Sequence, residues 1–273
     1  MTILANNIAI DYLKAGDGDI TLLFVHGSFI NKDYWREQLE YFKTNYSVIA
    51  VDLAGHGKSG TDRDHWTIEE FGKDVAGVID ALKLENVILI GHSMGSDIIL
   101  ETAAIRRNAV IGIVVIDALK NAGTEIPELL QQADAILENL NTNFADTVEG
   151  YARQGLYSPD TDPKIIHTVV HDYRSAYQPM AVGTIADLFR YAPRERALLQ
   201  SLDLKVYLIN VDYIPTNEEL LSKYARSGYE LHIIHGTSHF PMLEESQVLN
   251  EALEKAIDKI SQELILEQAA RNQ

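Results

Sequence analysis

One short segment, Gly-His-Ser-Met-Gly at residues 91–95, constrains the fold of this chain more than any other part of its sequence. The apolar run 87–90 precedes it directly and has the length of a buried strand, whereas residues 94–106 have the spacing of a helix. The two glycines, each two residues from Ser93, allow backbone conformations that other side chains hinder. We therefore expect a sharp strand–turn–helix connection that holds Ser93 in a strained conformation at a helix N-terminus.

The rest of the chain alternates between strand-length apolar runs and helical patterns. The predicted strands are residues 7–13, 21–25, 47–52, 86–90, 110–116, 205–210 and 229–234. The predicted helices of this alternating part are residues 34–45, 67–84, 94–106 and 245–268. Short unbroken apolar strands separated by helices are typical of a parallel sheet that is covered on both faces. From about 125 to 193 the patterns are helical only, so we expect an α/β domain that carries a helical insertion.

The composition excludes several classes of site and partner. The chain has no cysteine, which excludes disulfides, a thiol nucleophile and zinc–thiolate sites. Its net charge of −17 disfavours nucleic acid and anionic membrane surfaces as partners. It has no apolar run of 18 residues, and residues 1–7 lack the basic segment of a signal peptide, so we expect a cytoplasmic protein. A small molecule remains as the expected partner, and nothing in the sequence indicates the oligomeric state.

Four segments resemble, in form and in order, those of the α/β-hydrolase superfamily. They are Val-His-Gly-Ser-Phe at 25–29, Asp-Leu-Ala-Gly-His-Gly-Lys-Ser at 52–59, the segment 91–95, and Gly-Thr-Ser-His-Phe-Pro-Met-Leu-Glu at 236–244. The resemblance covers nearly the whole chain and implies the α/β-hydrolase fold. That fold has a mostly parallel central sheet, helices on both faces and a helical cap inserted after strand 6. The implied core is residues 1–117 and 195–273, and the implied cap is residues 118–194.

The resemblance also implies the roles of individual residues. Ser93 is expected to be the nucleophile and His239 the general base that activates it. The backbone N–H groups of Ser28 and Met94 are expected to hold the oxyanion that forms during the reaction. Apolar and aromatic side chains beside these segments are expected to contact the substrate, namely Phe29, Tyr213 and Phe240.

The acid that would orient the histidine has two candidates. In most members of the superfamily it lies in the loop after the strand predicted here at 205–210, one residue before a proline. Ile214 stands at that position and has no charge to offer, whereas Asp212 lies two residues earlier. Asp117, at the end of the predicted strand 110–116, is similar to the acid of some haloalkane dehalogenases. We favour Asp117 over Asp212.

The resemblance implies hydrolysis of a carboxylic ester, or a similar acyl bond, of a small and largely apolar substrate through an acyl-enzyme. Neither a metal nor an organic cofactor is expected. The same three residues could also serve a lactonase or a C–C bond hydrolase. Lyase or cofactor-free oxygenase chemistry remains a further alternative, and so does a non-catalytic small-molecule receptor, because one fold hosts many functions.

Overall fold

A mixed sheet of eight strands forms the centre of the computed structural model, which describes residues 1–271. The strands are β1 (Thr2–Ala5), β2 (Ile8–Ala15), β3 (Thr21–Val25), β4 (Ser47–Val51), β5 (Val87–His92), β6 (Val110–Ile116), β7 (Val206–Val211) and β8 (Tyr229–Ile234). Their order across the sheet is β1-β2-β4-β3-β5-β6-β7-β8. The first two strands are antiparallel to their neighbours, and all other pairs are parallel.

The central strands are buried along their whole length, which explains why they are unbroken apolar runs. Every residue of β3, β4 and β5 is buried, as expected where helices cover both faces of a parallel sheet. The sequence pattern does not predict the edge strand β1, because its four residues are too few to show a strand pattern and only Ala5 is buried. The fold class predicted from the sequence is confirmed.

Helices surround the sheet, and those of the described residues have the following bounds. They are α1 (Arg36–Phe42), α2 (Ile68–Leu82), α3 (Met94–Ile105), α4 (Pro127–Thr142), α5 (Phe144–Gly155), α6 (Pro163–Arg174), α7 (Gln178–Leu188), α8 (Ala192–Ser201), α9 (Glu218–Tyr224), α10 (Pro241–Glu244) and α11 (Ser246–Arg271). A 3₁₀ turn at Lys32–Trp35 precedes α1. Helices α2 and α3 pack against each other, whereas α1 and α11 contact one another and form a separate layer.

Five consecutive helices, α4 to α8, lie between β6 and β7, and we call them the helical insertion. Helix α4 packs on α5 and α7, α5 packs on α6, and two helices reach the core, α7 at α2 and α8 at α3. The carboxylate of Asp187 in α7 accepts a hydrogen bond of 2.8 Å from the backbone N–H of Ile68, the first residue of α2. The predicted domain boundary at residue 194 falls inside α8.

None of the helices in residues 1–271 combines the length and the apolar character that crossing a membrane requires.

Candidate active site

Ser93 stands at the tip of the turn between β5 and α3, with backbone angles φ 52° and ψ −125°. A non-glycine residue in this region is strained, and such strain is common at functional sites. The flanking glycines are required by close packing. A Cβ on Gly91 would lie 2.4 Å from the carbonyl oxygen of Gly95, and a Cβ on Gly95 would lie 2.5 Å from the carbonyl oxygen of Val25. The predicted strand–turn–helix geometry is therefore present, and the turn packs closely against the end of β3.

The turn after β3 lies beside the turn at residues 91–95, which we call the elbow. A Cβ on Gly27 would lie 2.8 Å from Nδ1 of His92 and 3.0 Å from Cβ of Ser93. The hydroxyl of Ser28 donates a hydrogen bond of 3.4 Å to Sδ of Met94. Met94 is the first residue of α3, where backbone N–H groups have no partner within the helix and the helix dipole favours negative charge. The two residues predicted to hold an oxyanion are thus neighbours beside Ser93.

His239 and Asp117 meet although they lie on different loops. Nδ1 of His239 donates to Oδ2 of Asp117 at 2.5 Å, and both side chains are buried. Asp117 follows the last residue of β6 and has a positive φ of 46°. Its Oδ1 accepts a second hydrogen bond of 3.1 Å from the backbone N–H of Val211, at the end of β7. Because Nδ1 is occupied by the carboxylate, Nε2 is the ring nitrogen left to exchange a proton with a substrate or nucleophile.

Asp212, the alternative acid, lies elsewhere. Its carboxylate bonds to Nδ1 of the exposed His235 at 2.8 Å and accepts a hydrogen bond of 3.3 Å from the backbone N–H of Gly236. The hydrogen bond with His235 lowers the pKa of Asp212 below its ordinary value. The structure therefore brings Asp117 to His239 and does not bring Asp212 there.

Lys120, which the sequence did not point to, completes the surroundings of the acid. Its ammonium group lies 2.7 Å from Oδ1 of Asp117. It donates hydrogen bonds to the carbonyl oxygens of Val211 at 3.0 Å and Ile214 at 2.9 Å. The same nitrogen lies 4.5 Å from the centre of the Tyr213 ring, within cation–π range. Lys120 thus joins the end of β6 to the loop that follows β7.

The electrostatics of Asp117 reflect two opposing effects. Burial alone would raise the pKa of this carboxyl group, because a buried charge loses its hydration. The hydrogen bond and the charge of His239, together with the ammonium group of Lys120, outweigh burial and hold the pKa of Asp117 below its ordinary value. Asp117 is therefore an anion at neutral pH and can stabilise a positive charge on the imidazole.

Two other histidines hold the loops of the site together. Nε2 of His92 donates a hydrogen bond of 2.8 Å to the backbone carbonyl of His239, and this bond fastens the histidine loop to the elbow. Nε2 of His26 accepts a hydrogen bond of 3.0 Å from the backbone N–H of Leu53. Burial lowers the pKa of His26 to about 4 and that of His92 to about 3, so both rings are neutral at pH 7. Both histidines therefore support these turns through hydrogen bonds.

The three residues predicted to contact substrate occupy different places. Phe29 has a positive φ of 62° and lines a cavity, and its ring packs edge-on against Tyr173. The hydroxyl of Tyr213 lies 3.3 Å from Nδ1 of His239, and burial raises the pKa of Tyr213, so this hydroxyl keeps its proton. Phe240 is only 1% exposed and packs against the ring of His239. The ring of Phe240 is therefore buried in the core beside His239 and does not line the cavity.

That cavity has a volume of about 440 Å³ and lies between the helical insertion and the core. Most of its walls are apolar, with the following side chains among them: Leu119, Ile126, Leu140, Val148, Ile185 and Leu188. The core contributes Phe29, next to the turn that holds Ser28, and Asp97 of α3. Lys120 lies at another wall and connects the cavity to the Asp117 cluster. Within residues 1–271 the structure brings no three His, Asp or Glu side chains together in a way that could hold a metal ion.

Comparisons with known proteins show the family and the fold of this chain. The model of the Alpha/beta hydrolase family matches residues 22–252. A 3-oxoadipate enol-lactonase 2 from Acinetobacter baylyi is 24% identical over 278 residues, covering 95% of this chain and 97% of that protein. An (E)-2-((N-methylformamido)methylene)succinate hydrolase from the same organism is 31% identical over 134 residues, 49% of this chain and 51% of that protein, so the match spans about half its length. A solved structure of a thermophilic esterase from Thermogutta terrifontis shares the fold, with a TM-score of 0.82 at 20% identity over 95% of this chain and 98% of that one.

Proposed function

Because the chain belongs to the Alpha/beta hydrolase family, we propose that it is a serine hydrolase that cleaves carboxylic esters through an acyl-enzyme. The observation that carries the proposal is the hydrogen bond of 2.5 Å from His239 to Asp117, beside an elbow that holds Ser93 in a strained conformation. Nucleophile, acid and histidine follow one another along the chain in that order, which is the order of this family's triads. Ser93, Asp117 and His239 are the triad in this proposal.

In the first half-reaction, Nε2 of His239 accepts the proton of the Ser93 hydroxyl while Oγ attacks the ester carbonyl carbon. A carbon–oxygen bond forms and the carbonyl oxygen becomes an oxyanion. The tetrahedral species collapses, the bond to the leaving alcohol breaks, and the alcohol receives the proton from His239. The acyl group remains on Ser93.

In the second half-reaction, His239 accepts a proton from water, and the water oxygen attacks the acyl carbon. Collapse of this second tetrahedral species breaks the bond to Ser93, whose oxygen recovers the proton. The products are a carboxylic acid and an alcohol. In both half-reactions Asp117 stabilises the imidazolium ion, and its low pKa keeps it charged while it does so.

The oxyanion is held by the backbone N–H groups of Ser28 and Met94. This assignment is supported by the contact between the Ser28 hydroxyl and the Met94 sulfur, because the contact brings the two residues side by side at the N-terminus of α3. Donors fixed in this way stabilise charge that develops only in the transition state.

The helical insertion acts as the cap in this proposal, with the cavity of about 440 Å³ beneath it as the substrate pocket. Four insertion helices, α4, α5, α7 and α8, contribute to its walls. The mostly apolar lining suits an apolar acyl or alcohol group.

A lactone is the second candidate substrate. It is favoured by the relative that matches almost end to end, which is an enol-lactonase. A lactone is an internal ester, so the same two half-reactions would open its ring.

The test is turnover of a panel of short-chain p-nitrophenyl esters and simple lactones, with wild type and the Ser93→Ala variant side by side. We expect ester hydrolysis by the wild type, loss of at least about 10³-fold in kcat for Ser93→Ala, and labelling of Ser93 alone by a fluorophosphonate. Lactone opening without aryl-ester turnover would favour the second candidate. Equal background rates for both proteins, with no label on Ser93, would overturn the proposal and favour a receptor role.

A further inference from the structure

Asn210 is a fully buried amide in a largely apolar strand. Strand β7 reads Val-Tyr-Leu-Ile-Asn-Val, and all six of its residues are buried. A polar side chain in such a position costs free energy unless hydrogen bonds replace its lost hydration. Ile209 pairs with Ile116, the last residue of β6. One residue further along both strands, Asn210 therefore stands opposite Asp117.

Both backbone polar groups of Ala118 are hydrogen-bonded to this one side chain. The N–H of Ala118 donates to Oδ1 of Asn210 at 3.1 Å, and Nδ2 of Asn210 donates to the carbonyl oxygen of Ala118 at 3.0 Å. Nδ2 also donates to the hydroxyl of Thr216 at 2.8 Å. Because an amide carries a donor and an acceptor on one planar group, it can bond to the N–H and the C=O of the same residue. An apolar side chain here would leave both groups of Ala118 without this partner.

Ala118 lies between two residues with strained backbones. Asp117 has a φ of 46° and Leu119 a φ of 54°, a region that side chains other than glycine disfavour. Such conformations persist only where the surrounding structure holds them. The amide of Asn210 holds the residue between them at both of its backbone groups, and it therefore opposes relaxation of the whole segment 117–119.

The strained backbone also determines where the carboxylate of Asp117 points. The N–H of Asp117 donates to the carbonyl oxygen of Ile209 at 3.0 Å, which continues the pairing of β6 with β7. The N–H of Val211 then bonds to the side chain of Asp117, at Oδ1. This leaves Oδ2 to meet Nδ1 of His239 at 2.5 Å. If the backbone relaxed to negative φ, the side chain would point in another direction and both contacts of the carboxylate would be lost.

We propose that Asn210 is a positioning residue for the reaction: through its two hydrogen bonds to Ala118, it keeps the carboxylate of Asp117 against His239. The inference rests on the proposed function, in which Asp117 stabilises the imidazolium ion. Within residues 1–271, Asn210 is not one of the residues that line the cavity, so it should affect the chemical step and not substrate binding.

Asn210→Leu removes the amide and keeps the length and branching of the side chain. We expect kcat for the best p-nitrophenyl ester to fall roughly 10²-fold, because a displacement of about 1 Å in a catalytic group can cost that much. KM should stay within about twofold, since the lost interaction acts in the transition state. A loss confined to KM, or a kcat within about threefold of the wild type in a folded variant, would overturn the proposal.

Asn250→Leu is the matched control for the loss of a buried amide. Asn250 is 4% exposed, and its Oδ1 accepts a hydrogen bond of 3.0 Å from Nε2 of Gln38. That bond joins α11 to α1 and involves no residue of the proposed triad. Its loss should lower the free energy of unfolding and leave kcat and KM unchanged. If Asn250→Leu lowered kcat as much as Asn210→Leu does, general destabilisation would explain both and the proposal would fail.

Two substitutions of Thr216 test the amide without replacing it, should Asn210→Leu fail to fold. Thr216→Val removes the hydroxyl that accepts a hydrogen bond from Nδ2 of Asn210. We expect kcat to fall about fivefold, the effect of roughly one net hydrogen bond. Thr216→Ser keeps the hydroxyl and should match the wild type. Equal kcat values for the wild type and both variants would show that the orientation of the amide has no effect on the reaction, which would overturn the proposal.

A measurement without turnover distinguishes failure of this inference from failure of the proposed function. In protein made with isotopically labelled histidine, the proton on Nδ1 of His239 should give a far-downfield magnetic resonance signal, because its hydrogen bond to the carboxylate is short. The signal is assigned by its absence in His239→Gln. We expect it to be lost or shifted upfield in Asn210→Leu and to stay in place in Asn250→Leu.

The resonance and the kinetics together give distinct outcomes. An unchanged signal in folded Asn210→Leu would overturn the inference even if the wild type hydrolyses esters. A signal that is lost in Asn210→Leu, in a protein whose wild type hydrolyses no ester or lactone, would support the hold of Asn210 on Asp117 and remove the hydrolase.

Discussion

Asp117 and His239 are joined by a hydrogen bond of 2.5 Å, although 122 residues separate them in the sequence. The bond is possible because Asp117 directly follows β6, and the backbone of the neighbouring β7 supports it through the N–H of Val211. Asp117 thus lies just after β6, and the loop that follows β7 surrounds its carboxylate. The ammonium group of Lys120 contacts the same carboxylate.

Asp117→Asn should lower kcat strongly, whereas Asp212→Asn should leave it within about twofold of the wild type. A neutral amide in place of the Asp117 carboxylate would neither stabilise an imidazolium ion nor hold the correct tautomer of His239, and the expected loss is roughly 10³- to 10⁴-fold. Steady-state kinetics on the best p-nitrophenyl ester measures both variants. Among residues 1–271, the carboxylate of Asp212 forms hydrogen bonds with the exposed His235 and the backbone of Gly236 and not with His239, so its variant is the matched control. A large loss in Asp212→Asn alone would reassign the acid.

Lys120→Met should move the acid limb of the kcat/KM–pH profile of ester hydrolysis to higher pH. Lys120 is a positioning residue, and its ammonium group neutralises part of the charge on Asp117. Without it, the pKa of Asp117 would rise, so the carboxylate that stabilises the imidazolium ion would be lost to protonation at a higher pH than in the wild type. We also expect kcat to fall about tenfold, because the loop that follows β7 would lose two of its hydrogen bonds.

The pH profile separates this effect from simple loss of structure. Lys223→Met is the matched control, since Lys223 lies over a tyrosine ring as Lys120 does, but it belongs to α9 and is far from Asp117 in the sequence. Its profile should match that of the wild type. An unshifted profile in Lys120→Met, with only a lower kcat, would show that Lys120 does no more than support the loop.

Most of the fold could be predicted from the sequence because the spacing of apolar residues along the chain indicates which residues are buried. Strands buried on both faces are unbroken apolar runs, and the steric demands of the elbow require glycine at two positions around Ser93. Both signals are local. The edge strand Thr2–Ala5 escapes prediction because its pairing with β2 defines it, and its four residues are too few to show a strand pattern.

The surroundings of the acid could not be predicted, because they depend on which way side chains point at the ends of two neighbouring strands. Asp117 and Asp212 follow β6 and β7, which are paired, so topology alone places both near the same edge of the sheet. The positive φ of Asp117 and the contacts of its carboxylate distinguish them, and neither is visible in the sequence. Lys120 escapes prediction for a similar reason, since its four contacts come from segments that meet only in the folded chain.

Gly95→Ala should destabilise the protein by about 3 kcal/mol or more, because the new methyl group would meet two backbone carbonyl oxygens that cannot move aside. Gly150→Ala is the matched substitution in the middle of α5, where nothing lies within 4 Å of the new Cβ. It should stabilise the protein by about 0.5–1 kcal/mol through helix propensity. Urea denaturation at pH 7 measures both free energies of unfolding. Equal effects of the two substitutions would contradict the steric account of the elbow.

Three buried histidines make the stability of the fold depend on pH. Burial lowers the pKa of His26 to about 4, that of His56 to about 3 and that of His92 to about 3. In the unfolded chain each has a pKa near its ordinary value of about 6.5. As the pH falls below that value, the unfolded state binds protons that the folded state does not, so the free energy of unfolding decreases until the folded pKa is reached.

Each histidine should therefore contribute a slope of about 1.4 kcal/mol per pH unit between roughly pH 6 and pH 4, and the three together about 4 kcal/mol per unit. Urea denaturation at a series of pH values measures this slope. His56→Gln should lower the slope by about 1.4 kcal/mol per pH unit, because one proton fewer separates the two states. His167→Gln, at an exposed position of α6, is the matched control and should leave the slope unchanged. If His56→Gln and His167→Gln gave the same slope as the wild type, the neutral, buried state of His56 would be wrong.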